Sequence, residues 1–233
     1  MITLSIIIPV YNEAATVVSI LERVQAQKLE GVTLEVIVID DGSRDRTGEL
    51  LESRPDLYGT LIRCPRNQGK GAAVIAGLRK ATGDYILFQD ADLEYDPADY
   101  GNLIEPVIRF NADIVMGSRF RAPRINRVSY FWHWVGNKLI TLMFNVLNNT
   151  TFSDVYSCYL LYRRALVDPE ELKAYGWDQH AEILGLAVRG ARAMYEVPIN
   201  YYGRSYEEGK KIRGHHAFAV ILMIVKKRFA GRR

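Results

Sequence analysis

The feature that most constrains this chain is an alternation, sustained through its first half, of short apolar runs with longer stretches of helical period. Strand-length runs at 4–8, 34–39, 60–63, 85–88 and 113–116 are separated by helical patterns over about 14–28, 70–80 and 98–110, the rhythm of βαβ units. Runs that are apolar throughout predict strands buried on both faces, as in a parallel sheet. The expected fold class is therefore α/β, with a mostly parallel, Rossmann-like sheet flanked by helices. In such a sheet ligands bind beyond the carboxyl ends of the strands, and the polar residues collect there. Pro9 to Glu13 follow the first run, Asp40 to Ser43 the second, Asn67 to Gly71 the third, Gln89 to Asp96 the fourth and Gly117 to Arg119 the fifth. Five polar loops on one edge predict a binding site rather than five solvated turns.

The fourth of these loops carries the strongest chemical signal. Asp90, Asp92, Glu94 and Asp96 crowd four carboxylates into eight residues directly after Tyr85-Ile86-Leu87-Phe88. Such a cluster at the end of a buried strand repels itself unless a cation neutralises it. Asp90, Asp92 and Glu94, on alternate residues, are candidate ligands for a hard divalent ion, Mg²⁺ or Mn²⁺; the competing reading is a solvated acidic loop. Two familiar phosphate-binding motifs are excluded. Gly69-Lys70-Gly71-Ala72-Ala73-Val74 lacks the third glycine of a dinucleotide fingerprint, and no Walker A run occurs.

At 233 residues, 48% hydrophobic and 24% charged, the chain suits one soluble domain with an ample core. Two cysteines, Cys64 and Cys158, are too few for a disulfide framework, and the N-terminus reads as a strand rather than a leader, so a cytoplasmic, reducing location is expected. The sequons at Asn148 and Asn149 then have no glycosylation route. His133, His180, His215 and His216 do not form a chelating pattern, and Cys158 reads as a buried structural thiol.

After residue 120 the rhythm changes. An aromatic-rich stretch, Tyr130-Phe131-Trp132-His133-Trp134, leads into a helix through about 147, either a core helix or one lying at a membrane interface. A strand near 158–162, a helix over 179–189 and a strand at 192–197 follow. The longest apolar run, 217–225, is nine residues, whereas a membrane span needs about 20. From Arg204 onward nine Lys and Arg face two Glu, an asymmetry that points to an anionic partner or surface. The expected organisation is one continuous domain, with 1–120 forming the half that carries the polar loops and the candidate metal ligands. Residues 121–233 end in a basic amphipathic helix, a helical appendage able to lie peripherally on the inner face of a membrane. A basic tail without a recognised module does not point to nucleic acid.

Taken together, Ile8-Pro9-Val10-Tyr11-Asn12-Glu13, Asp40-Asp41-Gly42-Ser43, Asn67-Gln68-Gly69-Lys70-Gly71, Asp90-Ala91-Asp92 and Gly117-Ser118-Arg119 resemble, in order and approximate spacing, the family-2 glycosyltransferases of the GT-A fold, in particular the dolichyl- and polyprenyl-phosphate sugar synthases. The resemblance implies a metal-dependent inverting transfer of a hexose from a nucleotide sugar, UDP-linked, to a polyprenyl phosphate. The resemblance also makes 1–120 the nucleotide-sugar half and 121–233 the acceptor half. It implies a nucleoside over Pro9, Tyr11 and Glu13, with an Asp of the Asp40-Asp41 pair accepting from base or ribose. It also implies a donor site that includes Lys70, Asp90 and Ala91, and a catalytic metal held through Asp92. Arg204 and Lys210 correspond to the family's basic loop over the diphosphate, and Arg119 to the arginine aimed at the acceptor phosphate. An ionised phosphate acceptor needs no base, whereas a soluble sugar or polyol hydroxyl does. Glu182, near the family's acidic position, is the candidate base for that alternative, with Asp178 second. A non-catalytic sugar-nucleotide-binding protein is the alternative from another class.

Overall fold

The computed structural model describes residues 1–121, 130–176, 178–203 and 216–229. Its strands are β1 (Ile2–Val10), β2 (Val32–Asp40), β3 (Thr60–Arg63), β4 (Tyr85–Phe88), β5 (Ile114–Ser118), β6 (Leu160–Arg163) and β7 (Met194–Pro198). The helices are α1 (Val17–Gln25), α2 (Thr47–Ser53), α3 (Lys70–Leu78), α4 (Tyr100–Phe110), α5 (Phe131–Asn148), α6 (Gln179–Gly190) and α7 (His216–Phe229). The strands form one sheet in the order β3-β2-β1-β4-β6-β5-β7. β1 pairs parallel with β2 and β4, β2 with β3, and β5 with β7. β6 is antiparallel to both of its neighbours.

The both-faces-buried pattern of β1 is realised: Leu4, Ile6, Ile7 and Ile8 are all 0% exposed. Each such side chain contributes roughly 1.5–3 kcal/mol by leaving water, so register and direction of the central strands are strongly specified. Helix α3 packs on β1 and β2, and Gly77 lies so close to Ile7 and Ile39 that a Cβ there would sit 2.8 Å and 2.7 Å from their side chains. The halves on either side of residue 120 share this sheet, because β6 enters between β4 and β5 and β7 pairs with β5.

Three features depart from the sequence reading. Helix α1 starts at Val17 rather than near residue 14, because Glu13 to Thr16 form a turn, with the Thr16 and Val17 N–H groups both bonded to the Glu13 carbonyl. Helix α2, seven residues including Gly48, has too short and polar a pattern to announce itself; Asp45 supports its start by accepting the Thr47 N–H at 3.0 Å. The reversal of β6 is invisible to periodicity, which records burial and not direction.

Helix α5 is neither wholly core nor wholly solvated. It buries Ile140, Thr141 and Phe144, while Phe131, Trp132, Leu139, Leu142 and Val146 stand exposed, Trp132 by 77%. Helix α7 packs on α5 and α6 through buried Val220 and Ile224, and exposes Leu222 on the other side. Among the described residues no helix is long and apolar enough to cross a membrane.

Candidate active site

Strand β1 lies between β2 and β4, so the chain's connections leave it in opposite directions. A crevice opens at such a switch point beyond the carboxyl ends of the strands. A pocket of about 400 Å³ occupies it. Pro9, Tyr11 and Glu13 line it from the loop after β1, Asp41 from the loop after β2, and Asn67, Gly69 and Lys70 from the turn into α3. Asp90, Asp92, Glu94 and Tyr95 contribute from the loop after β4 and Arg119 from that after β5. The second half adds Tyr156, Cys158, Gln179, His180 and Tyr201.

The two aspartates after β2 do different work. Asp41 accepts the backbone N–H groups of Gln68 and Gly69, each at 2.9 Å, and so fixes the loop that presents Lys70. The turn needs Gly42 at φ 68°, since a Cβ there would lie 2.6 Å from the Arg66 carbonyl carbon. Asp40 is 2% exposed and is not among the pocket-lining residues; it closes its own turn by accepting the Ser43 N–H at 2.9 Å. Of the expected pair, Asp41 is therefore the one that faces the pocket.

The carboxylate cluster differs from a three-ligand cage. Lys70 Nζ lies 2.5 Å from Asp90 Oδ1. Burial opposes ionisation of Asp90, but the Lys70 ammonium holds its carboxyl below the ordinary range. At Asp92 the balance goes the other way: burial, then the charges of Asp90 and Glu94, push its carboxyl up to about 7, against the smaller opposing pull of the Glu94 N–H and Lys70. Glu94 Oε2 accepts the Tyr201 hydroxyl at 2.7 Å, and its N–H donates to Asp92 Oδ1 at 3.1 Å. Leu93 between them sits at φ 64°, a left-handed conformation that costs a non-glycine residue roughly 1–3 kcal/mol and concentrates at functional sites. Among the described residues no three His, Cys, Asp or Glu side chains converge on one point. Of the expected Asp90-Asp92-Glu94 ligand set, Asp90 pairs with Lys70 in this structure, and all three carboxylates line the same pocket. Ala91 is buried at 3% and does not line the pocket.

Arg119 is held more firmly than its motif foretold. Its Nε and Nη2 donate to the two oxygens of Asp154 at 2.7 Å and 2.8 Å, and its backbone N–H adds a third bond at 3.1 Å. The guanidinium also lies 5.1 Å from the ring centre of Tyr201, a cation–π distance. Asp154 is 0% exposed. Nothing in the sequence pattern singled it out, since its partner lies 35 residues away. Tyr95, Tyr156 and Tyr201 were missed for the same reason. Cys158, read as structural, does line the pocket, and burial pushes its thiol well up.

Glu182 is not where a base must be. It is 0% exposed, does not line the pocket, and has both oxygens engaged: Oε2 accepts the N–H groups of Lys173 and Ala174, and Oε1 lies 2.6 Å from Lys227 Nζ. The expectation of Glu182 as a general base is corrected on that ground. Asp178 stands at the N-terminus of α6, beside the lining residues Gln179 and His180 but not one of them. Arg204 and Lys210 lie outside the described residues.

His180 offers a pH-dependent reading of the site. Burial, then the Lys70 charge, push its imidazole down to about 4. The unfolded chain, with an ordinary histidine near 6.5, binds the proton first as pH falls. Stability is therefore complete above about 6.5 and lost toward about 4, by roughly 3 kcal/mol for this group. Urea unfolding of wild type and His180→Gln at pH 7 and 4.5 is expected to show a smaller loss in the variant; equal losses would remove His180 from the account.

Comparison with known proteins decides the family. The sequence model of glycosyl transferase family 2 matches residues 5–169. The chain belongs to glycosyltransferase family 2. Among its relatives, the undecaprenyl-phosphate 4-deoxy-4-formamido-L-arabinose transferase of Pseudomonas aeruginosa (strain LESB58) is 35% identical over 212 residues, covering 88% of this chain and 59% of that protein. The dolichol-phosphate mannosyltransferase of Pyrococcus furiosus is 29% identical over 226 residues, covering 95% of this chain and 62% of the relative. The family-2 chain thus spans about three fifths of the length of these relatives. Its fold is shared with glucosyl-3-phosphoglycerate synthase from Mycobacterium tuberculosis, solved with Mn²⁺, UDP and glucosyl-3-phosphoglycerate (TM-score 0.69, 19% identity, 99% of this chain and 81% of that one). It is shared also with S. aureus TarS in complex with UDP (TM-score 0.61, 19% identity, 99% and 73%). This is the GT-A arrangement that the sequence motifs implied.

Proposed function

We propose that this family-2 glycosyltransferase moves a hexose from a UDP-linked sugar to a polyprenyl phosphate, with inversion at the anomeric carbon and with help from Mg²⁺ or Mn²⁺. The observation that carries the reading is the convergence, in one pocket, of the Asp41-fixed loop, the Asp92 and Glu94 carboxylates and the Asp154-braced Arg119. Tyr11, Glu13 and Asp41 are the groups suited to a base and ribose, whose N–H and O–H donors match carboxylates.

A divalent cation fits the residues present. Among the described lining residues the carboxylates of Glu13, Asp41, Asp90, Asp92 and Glu94 outnumber the cations Lys70 and Arg119, so a diphosphate entering alone meets net negative charge. Asp92 and Glu94 would hold the ion, with phosphate oxygens completing its shell, the usual way Mg²⁺ is bound. When bound, such an ion neutralises the charge that develops on the departing diphosphate.

Arg119 supplies the acceptor side. Braced by Asp154 and Tyr201, its guanidinium keeps a fixed direction, and a phosphate is a suitable partner. A phosphate monoester is largely ionised at neutral pH, so its oxygen attacks without surrendering a proton, in agreement with Glu182 being buried elsewhere. The new bond forms on the face opposite the leaving diphosphate, which inverts the configuration. The loop of Arg119 also touches α5, where Lys138 Nζ lies 4.4 Å from the Phe120 ring centre. The exposed aromatic face of α5 and the exposed Lys226 and Arg228 of α7 suit a peripheral position on an anionic membrane surface, from which a polyprenyl chain can present its phosphate. The names of the relatives support the same acceptor class. Chelator-sensitive transfer of labelled hexose from a UDP-sugar to a polyprenyl phosphate tests the reading.

A further inference from the structure

Glu182 has no exposed surface and no part in the chemistry above, yet it joins three segments of the chain. Its Oε2 accepts the backbone N–H groups of Lys173 at 3.0 Å and Ala174 at 2.8 Å, and its Oε1 lies 2.6 Å from Nζ of Lys227 on α7. The Glu182 side chain is 1% exposed and that of Lys227 14%. The strap held in this way runs on to Tyr175, whose carbonyl accepts the Gly71 N–H at 2.9 Å. A Cβ on Gly69 would lie 2.6 Å from the same Tyr175 oxygen, so strap and loop meet backbone to backbone. Gly69 and Gly71 flank Lys70, whose ammonium holds Asp90, and Asp41 accepts the Gly69 N–H from the other side. An unbroken set of contacts therefore runs from α7, through a buried ion pair and three strap residues, to the floor of the pocket.

We propose that the Glu182–Lys227 pair is a positioning device that ties α7 to the loop carrying Lys70, so that the seating of α7 sets how tightly the pocket holds a nucleoside diphosphate. Glu182 and Lys227 touch no substrate; they act through the strap at 173–175. The physical basis is that a buried ion pair is strongly destabilised by loss of one member. With both present the carboxylate keeps its two N–H donors in place, and with Lys227 gone an uncompensated buried charge pulls Glu182 toward water and the strap with it. Because Val220 and Ile224 anchor α7 from the same side as Lys227 while Leu222 faces outward, whatever covers the outer face of α7 bears on this linkage. The proposal rests on the donor-site reading only for the identity of the ligand.

The test combines backbone hydrogen exchange with UDP binding in the presence of Mn²⁺, on the full chain. In Lys227→Met, exchange at Gly71, Lys173 and Ala174 should rise, and UDP should bind about tenfold more weakly, within the range that such couplings reach. Exchange in β1 should stay as in wild type. In Glu182→Gln/Lys227→Met the amide oxygen still accepts both N–H bonds and no buried charge is left alone, so exchange and UDP affinity should return to within about twofold of wild type, a rescue that a merely packing role would not give. Lys227→Gln, which keeps a donor for Oε1 without the charge, should give the same ordering with a smaller effect and stands in if Lys227→Met does not fold. Unchanged exchange at Gly71 in the single variants, or a double variant as impaired as Lys227→Met, would overturn the proposal. A wild type that binds no nucleoside diphosphate would instead sink the donor reading, while the exchange comparison still decides the linkage.

Discussion

Asp92→Asn is expected to lose sugar transfer by about 10²–10³-fold or more, the scale of removing one preorganised electrostatic group, while melting at or above the wild-type temperature. The two effects have one cause. Asp92 sits partly buried beside Asp90 and Glu94, and Lys70 is already committed to Asp90. Burial and the neighbouring carboxylates oppose its charge in the folded chain, and in the proposed mechanism a cation and a diphosphate would offset that cost. Removing it relieves repulsion and removes function together, a trade seen where sites hold charge under strain. Steady-state transfer and thermal unfolding of the same preparation check it. A variant that is inactive because it melts well below wild type, or one that is stable and fully active, would each contradict this assignment.

The second large effect concerns Arg119. Asp154→Ala leaves a guanidinium that is mostly buried without its bidentate partner, and breaking such a pair costs about 3–5 kcal/mol, or roughly 10 °C in melting temperature for a chain of this size. Arg119→Lys keeps the charge but loses the fork that grips both Asp154 oxygens. It should lower transfer at least tenfold through the acceptor KM, leaving donor affinity within about twofold. Kinetics with each substrate varied in turn separate the two. An increase in donor KM with an unchanged acceptor KM would place Arg119 on the wrong side of the pocket.

What the sequence made legible follows from which interactions are local. The apolar runs of β1, β2 and β4 announce themselves because both faces are buried, and the loops at their carboxyl ends follow from that placement alone. The carboxylates of Asp90, Asp92 and Glu94 stand out because they are neighbours in the chain. The pairing of Asp90 with Lys70, 20 residues earlier, cannot be read from either segment, and it sets the charge of Asp90 apart from those of Asp92 and Glu94. Asp154 comes to Arg119, and Tyr156 and Tyr201 to the pocket, only through the insertion of β6 and the placement of β7, topological facts that periodicity does not carry. Glu182 shows the converse. Its position in the family pattern pointed to catalysis, but a carboxylate three residues into a buried helix met two backbone donors and a lysine from the C-terminal helix before it met any solvent.

The account stands most directly on a single transfer assay. The full chain is incubated with UDP-[¹⁴C]hexose and Mn²⁺, in parallel with a polyprenyl phosphate in anionic vesicles and with soluble sugars and polyols, and the labelled product is separated and its anomeric configuration determined. The prediction is labelled lipid phosphate of inverted configuration, formed with the lipid acceptor, abolished by chelator and restored by added Mg²⁺ or Mn²⁺, with no comparable product on the soluble hydroxyls. Label appearing only on a soluble hydroxyl acceptor, or lipid product formed equally well in the presence of chelator, would contradict it.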